Sequence, residues 1–172
     1  QNSGSWKKET FDIKIAPQTV NLEIGSVKTV PVTIEPGEQI DVTINIQNNE
    51  KADVRNVNIK LNLANLPFAS DISEKTISKI DRDSAENINF KLTALSSATL
   101  QIYKIPLSID YYDEFGQHYS KQNEINVNVF AQPEIEVSID NDELIINQEG
   151  KLTLKILNKG LGDSKFVNLH IS

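Results

Sequence analysis

Residues 37–50 read GEQIDVTINIQNNE, and within them Ile40, Val42, Ile44 and Ile46 alternate with Asp41, Thr43, Asn45 and Gln47. Period two sends successive side chains to opposite sides of an extended backbone, so this stretch is a strand with one apolar and one wet face. Pro36 and Gly37 before it, and Asn48 to Asp53 after it, are turn formers. The same alternation recurs in Val57, Ile59, Leu61 and Leu63, in Ile88, Phe90 and Leu92, and in Tyr103, Ile105, Leu107, Ile109 and Tyr111. Ile125, Val127 and Val129 carry it again, and Val20, Leu22 and Ile24 form a shorter example. Further breaks fall at Pro67, at Ser96 and Ser97, and at Glu114 to Gly116, and the longest irregular stretch runs from Ala64 to Lys75. No ten-residue window sustains a helical period. Six or seven short strands with no helices to cover a parallel sheet predict an all-β fold, an antiparallel β-sandwich over 18–131.

Composition bounds the functional classes. The chain has 172 residues, 38% hydrophobic and 24% charged, an ordinary globular balance. Seventeen Lys and Arg against 24 Asp and Glu give a net charge of −7, which repels phosphate backbones and argues against nucleic acid as a partner. With no Cys, disulfides, thiolate metal sites and cysteine nucleophiles are excluded, and His118 and His170 are the only imidazoles. No stretch approaches the ~20 apolar residues of a membrane span, so no direct membrane insertion is expected and any anchor would lie outside these residues. The start QNSGSWKKE lacks the apolar segment of a secretory signal and is set aside as a processed or trimmed end.

An internal repeat sets the domain organisation. FDIKIAPQTVNLEI (Phe11 to Ile24) matches INVNVFAQPEIEV (Ile125 to Val137) as strand, Ala and Pro link, strand, taking Leu22 to Ile135. QNNEKADVRNVNIKL (Gln47 to Leu61) matches LNKGLGDSKFVNLHI (Leu157 to Ile171) without a gap, pairing Asn48 with Asn158, Asp53 with Asp163 and Val57 with Val167. The reading is therefore of tandem sandwiches: residues 1–17 ending in the last strand of a preceding copy (Phe11, Ile13, Ile15), one complete sandwich at 18–131, and a partial second sandwich at 132–172. The partial copy needs cover for Ile135, Val137, Leu152, Leu154, Ile156, Val167, Leu169 and Ile171, so the chain reads as a window on a longer array. The joints, at Ala16 and Pro17 and at Ala131, Gln132 and Pro133, are a few residues long and stiffened by proline. At ~3.3 Å per residue and ~10 residues per strand, each unit would span roughly 35 Å.

VKTVPVTIEPGEQIDVTINIQNNEKADVRNVNIKL, then YKIPLSIDYYDEFGQHY and a final EINVNVF, together resemble the S-layer-like immunoglobulin-type repeats of archaeal cell-surface proteins, a pattern shared by related bacterial adhesion modules. The marks are Pro36, Gly37 and Glu38 before the second strand, Asn48 closing it, Val57 opening the third, and Tyr111, Tyr112, Asp113 and Gly116 at the last hairpin. In the second copy, Glu149 and Gly150 stand without the preceding Pro. The resemblance implies tandem immunoglobulin-like sandwiches serving as envelope scaffold or adhesion modules, and it carries over no catalytic residue.

His118 lies near Asp113 and Tyr119 at an exposed hairpin tip, where nothing excludes water, so a solvated turn is expected rather than acid–base chemistry. His170, in an expected strand from Val167 to Ile171, points away from the apolar set. Calcium needs only oxygen ligands, and two carboxylate clusters could supply them: Asp140, Asp142 and Glu143 after the joint, and Asp110, Asp113 and Glu114 at the end of the sixth strand. Neither has EF-hand spacing, and a charged turn is the plainer reading. Tyr103 is placed to act as a tyrosine corner, its hydroxyl bonding the crossover backbone. Pro106 predicts a bulge or an unpaired outward position. Pro67 and Phe68 either cap the open end of the core or offer an apolar contact to a protein partner. None of the 18 Asn begins a glycosylation sequon, and many sit outward on strands, where polar faces leave lateral sheet association open.

These readings converge on a non-enzymatic extracellular module of a cell envelope, structural or adhesive, with protein partners or self-association and no cofactor beyond a possible calcium. A binding or spacer domain of a larger secreted or membrane-anchored machine, such as a carbohydrate-active enzyme or an exporter, is the alternative. Only a groove of exposed aromatics would favour sugar, and Trp6 is the sole Trp.

Overall fold

A computed structural model describes residues 7–10, 20–140 and 152–170. Among them the elements are all β: β1 (Leu22–Val30), β2 (Thr33–Ile34), β3 (Gln39–Asn48), β4 (Val54–Leu61), β5 (Phe68–Ala69), β6 (Glu74–Ile80), β7 (Ser84–Ala94), β8 (Gln101–Asp113), β9 (His118–Val129), β10 (Ile135–Asp140) and β11 (Thr153–Asn158). The first nine form a four-stranded sheet in the order β1-β3-β7-β5 and a five-stranded sheet in the order β2-β9-β8-β4-β6. With no helix among the described residues, none is long and apolar enough to cross a membrane.

The alternation read from the sequence builds the core. Ile40, Val42, Ile44 and Ile46 of β3 and Ile88, Phe90 and Leu92 of β7 face Val57, Ile59 and Leu61 of β4 and Ile105, Leu107 and Ile109 of β8 in one buried cluster. Each such side chain contributes about 1.5–3 kcal/mol when taken fully out of water. Their polar neighbours point outward, which explains why burial alternates along β3, β7 and β8.

The edges depart from expectation. One strand pair is parallel rather than antiparallel: Thr33 and Ile34 lie beside Asn128 and Val129. Pro31 has no N–H to continue the ladder with β3, so β1 ends at Val30 and the chain crosses to the opposite sheet. β1 also runs further than its apolar triplet, through a register shift between Ile24 and Ser26. A side chain on Gly25 there would overlap the Gln47 amide, which donates to Asn45 Oδ1 (3.0 Å). Asn45 Nδ2 in turn donates to Asn87 Oδ1 (2.9 Å). β5 and the start of β6 occupy the stretch that reads as irregular, and β9 begins at His118, well before Ile125. Pro106 faces outward where β4 ends, its carbonyl accepting from Asn62 N (2.8 Å), and β8 pairs with β9 through it without the bulge that was one of the two expectations.

The region from Ile135 onward is smaller. β10 and β11 form a two-stranded antiparallel sheet. The strand expected at Val167 to Ile171 does not form over the described part: Phe166 to His170 belong to no strand, and Val167 and Leu169 are each 46% exposed. A strand exists only through its ladder, and these residues pair with no other among those described. His170 is accordingly an exposed residue off any strand. The expected strand at Phe11, Ile13 and Ile15, and the joint at Ala16 and Pro17, lie outside the described residues.

The repeat reappears in the register. Leu22 pairs with Asn48 in β1/β3, and the corresponding Ile135 pairs with Asn158 in β10/β11. The turns correspond as well: Asn48 Nδ2 donates to Ala52 O (2.9 Å) and its Oδ1 accepts from Glu50 N (3.3 Å). Asn158 Nδ2 donates to Gly162 O (2.8 Å) and its Oδ1 accepts from Gly160 N (3.0 Å).

Candidate functional site

The Asp110, Asp113 and Glu114 carboxylates are turned to different surroundings. Strand alternation places Asp110 on the outer face, where it meets His118 Nε2 at 3.5 Å, and sends Asp113 to the buried side. Asp113 Oδ1 accepts from the backbone N–H groups of Phe115 (2.9 Å) and Gln117 (2.8 Å), and Oδ2 accepts from the Tyr119 hydroxyl (3.4 Å). Asp113 is thus the organiser of a hairpin turn that Gly116 completes at φ 83°. Glu114 points to solvent. Burial, and then the Asp113 charge, push the Tyr119 phenol above its ordinary pKa. Asp140 forms an exposed ion pair with Lys155 (2.7 Å), and Asp142 and Glu143 lie outside the described residues. Among the described residues no group of three His, Asp or Glu is placed to hold a metal ion.

Phe68 is a core cap. It is 5% exposed and meets Tyr103 edge to face, with ring centroids 5.2 Å apart, while Pro67 O accepts from Leu95 N (2.8 Å). The ring therefore closes the core, the first of the two readings open for it, and Pro67 stays half-buried beside it; a ring this large gains more by closing the core than by standing in water. The Tyr103 hydroxyl accepts from Thr99 N (2.9 Å) on the β7–β8 crossover, as its position in the sequence suggested. A second tyrosine also bonds backbone of a distant segment. Tyr111 is 1% exposed, and its hydroxyl accepts from Leu22 N and donates to Val20 O, both at 3.3 Å. It joins the start of β1 to the opposite sheet, and burial pushes its phenol pKa up.

The joint after β9 is held by backbone hydrogen bonds and close backbone packing. Phe130 N donates to Ile34 O (2.9 Å), tying the end of β9 to β2. Ala131 is 2% exposed and lies against Gly162, itself buried. Gln132 O accepts from Gly162 N (3.4 Å), Glu134 O accepts from Lys159 N (2.7 Å), and Glu134 N donates to Asn158 Oδ1 (3.0 Å). A Cβ on Gly160 would overlap Gln132 O and stand 2.5 Å from Glu134 N, and one on Gly162 would overlap Ala131 O. Both glycines are there because the linker backbone passes where a side chain would be. Lys159 also pairs with Glu136. The sequence announced a short, proline-stiffened joint; it did not announce that the turn after β11 grips it.

Beside the joint, Leu100, Ile102 and Phe130 line a shallow recess of about 240 Å³ on the outer face of the five-stranded sheet. Phe130 is the one aromatic ring lining it, and Asn128, Thr33 and Gln101 complete the wall.

Comparison with known proteins gives relatives without assigned functions. No protein-family model matches the chain. It is 26% identical over 163 residues to uncharacterized protein MJ1506 of Methanocaldococcus jannaschii, covering 87% of this chain and 37% of that protein. It is 29% identical over 157 residues to uncharacterized protein MJ1561 of the same organism, covering 88% of this chain and 28% of that protein. The chain therefore spans only about a third of the length of these relatives. Among solved structures, Spo0M, a sporulation control protein from Bacillus subtilis, aligns over 84% of this chain and 91% of its own at 11% identity and a TM-score of 0.30.

Proposed function

We infer that the chain is a non-enzymatic, extracellular module of a cell envelope, built of tandem immunoglobulin-like units that act as a spacer or adhesion element, as in S-layer-like surface proteins. The observation that carries this reading is the repeat: Leu22 opposite Asn48 and Ile135 opposite Asn158, with the same asparagine-centred turn after each. Chains that repeat one supersecondary unit with short connections extend by stacking, and length is the property such arrays deliver. The strand order β1-β3-β7-β5 over β2-β9-β8-β4-β6 fits an immunoglobulin-like sandwich with one chain crossover at its leading edge. The relatives in an archaeon agree with the resemblance to archaeal surface repeats. The accessory-domain alternative draws only on the recess at Leu100, Ile102 and Phe130, which offers a single ring where sugar platforms stack several.

Surface location is tested on the full-length protein in its native cells, using a membrane-impermeant amine reagent on intact and on lysed cells. Equal labelling of Lys residues in this segment supports the envelope reading. Labelling only after lysis overturns it.

A further inference from the structure

Two stiff units make a stiff spacer only if the connection between them is stiff, and in this chain the connection is held by hydrogen bonds and close packing. From β9 to β10 nearly every residue is engaged: Phe130 N on Ile34 O, Ala131 against Gly162, Gln132 O on Gly162 N, and Glu134 through both its N–H and its carbonyl. Ala131 is held by packing alone, and Pro133 makes neither a backbone bond nor such a contact with the turn's hydrogen-bonding groups. All these contacts, apart from the one to Ile34, converge on one turn, 158–162, which lies after the second strand of the following unit. That turn is shaped by Asn158, whose amide holds Gly160 N and Gly162 O.

We propose that Asn158, Gly160 and Gly162 form a joint lock: the turn of the following unit closes over residues 131–134 and fixes the direction in which that unit leaves the preceding one. The lock rests on the tandem-spacer reading and supplies its mechanism. It makes orientation conditional on the fold of the following unit, because the turn exists only when β10 and β11 are paired. Its glycines are not conformational hinges; they are the flat surfaces that let two backbones touch. A Cβ on either must push the linker away. Pro133, the residue that would ordinarily be credited with stiffness, contributes little on this account, because its neighbours are already held.

The chain has no cysteine, so two introduced ones are unique. Nitroxides placed at Asn126→Cys on β9 and Ser138→Cys on β10, both exposed positions, report the distance across the joint by double electron–electron resonance. The lock predicts a single narrow distance in the parent. It predicts a distribution at least about twofold wider in Gly162→Ala and in Gly160→Ala, and a nearly unchanged one in Pro133→Gly. Amide exchange in β10 and β11 is followed in parallel. A glycine variant that loses hairpin protection is replaced by Asn158→Asp, which keeps the Oδ1 acceptor and removes the Nδ2 donor. A narrow parent with unbroadened glycine variants, or with broadening by Pro133→Gly alone, overturns the lock and leaves the stiff spacer standing. A broad parent overturns both.

Discussion

The β1–β3 and β10–β11 pairs share register, turn and closing asparagine, yet one lies within a sandwich and the other stands as a hairpin. Ile44 and Ile46 are fully buried, whereas Ile156, the counterpart of Ile46, is 49% exposed. Asn48 is fully buried, and its Nδ2 lies within bonding distance of Ile80 O (3.3 Å) and Asp81 O (3.1 Å) as well as Ala52 O. Asn158 is exposed and holds the linker instead. The same local instructions thus give the same local geometry, while energetic weight comes from what is packed around it.

The edges sharpen the contrast. β2 and β5 are two residues each, β1 is broken by the shift at Gly25, β6 carries Lys75 and Lys79, and Lys121 of β9 donates to Leu22 O (2.7 Å) across the sandwich opening. Short, bulged or lysine-bearing edges discourage pairing with other chains. β11 has none of these breaks apart from Lys155, which Asp140 holds.

The comparison is most strongly tested by equivalent truncations. Ile44→Ala is expected to cost about 3 kcal/mol, because it opens a cavity between two sheets, whereas Leu154→Ala at the matching place is expected to cost under about 1 kcal/mol. Urea titrations followed at amides of β3 and β11 decide it, and equal losses would mean the two pairs are equally supported. Next in size is the asparagine pair. Asn48→Ala leaves buried carbonyls without a donor and is expected to cost about 2–3 kcal/mol, against about 1 kcal/mol or less for Asn158→Ala, read by the same titrations. Tyr111→Phe removes the link between β8 and the start of β1 and is expected to lower stability by about 1 kcal/mol, with early loss of exchange protection at Leu22.

The smallest effect concerns pH. A hydrogen bond from Lys79, then one from the Arg82 N–H, holds the Asp53 carboxyl below its ordinary pKa of 3.8. A depressed folded value means stability that is present above the unfolded pKa and lost as pH falls through the folded one. Asp53→Asn is therefore expected to lower stability slightly near neutrality and to leave it unchanged at the acid end, so that the acid limb of the stability curve flattens, as measured by thermal melts between about pH 2 and pH 7. An unchanged acid limb would show that the exposed pair contributes nothing.

Much of the fold was legible because burial on one side writes itself into period two. β3, β4, β7 and β8 are the central strands, and their apolar positions were readable one by one. β6 was not: its residues Glu74, Lys75, Thr76, Ser78 and Lys79 leave little alternation, since an edge strand is held largely by its backbone and here turns only Ile77 and Ile80 toward the core. The first half of β9, from His118 to Glu124, was hidden for the same reason, and β2 and β5 are too short to carry a period. At the candidate site, Asn158, Gly160 and Gly162 were visible only as turn residues matching another turn.

By itself, then, the sequence determined the strands that face the core, the repeat and the place of the joint, because each depends on local alternation or on self-similarity. The tertiary structure alone decided which polar segments become edges, that Asp113 organises a turn rather than joining Asp110, that Phe68 faces Tyr103, and that a turn some thirty residues downstream closes on the linker. Those outcomes depend on which backbones approach one another, and no period along the chain records a contact between segments that meet only after folding.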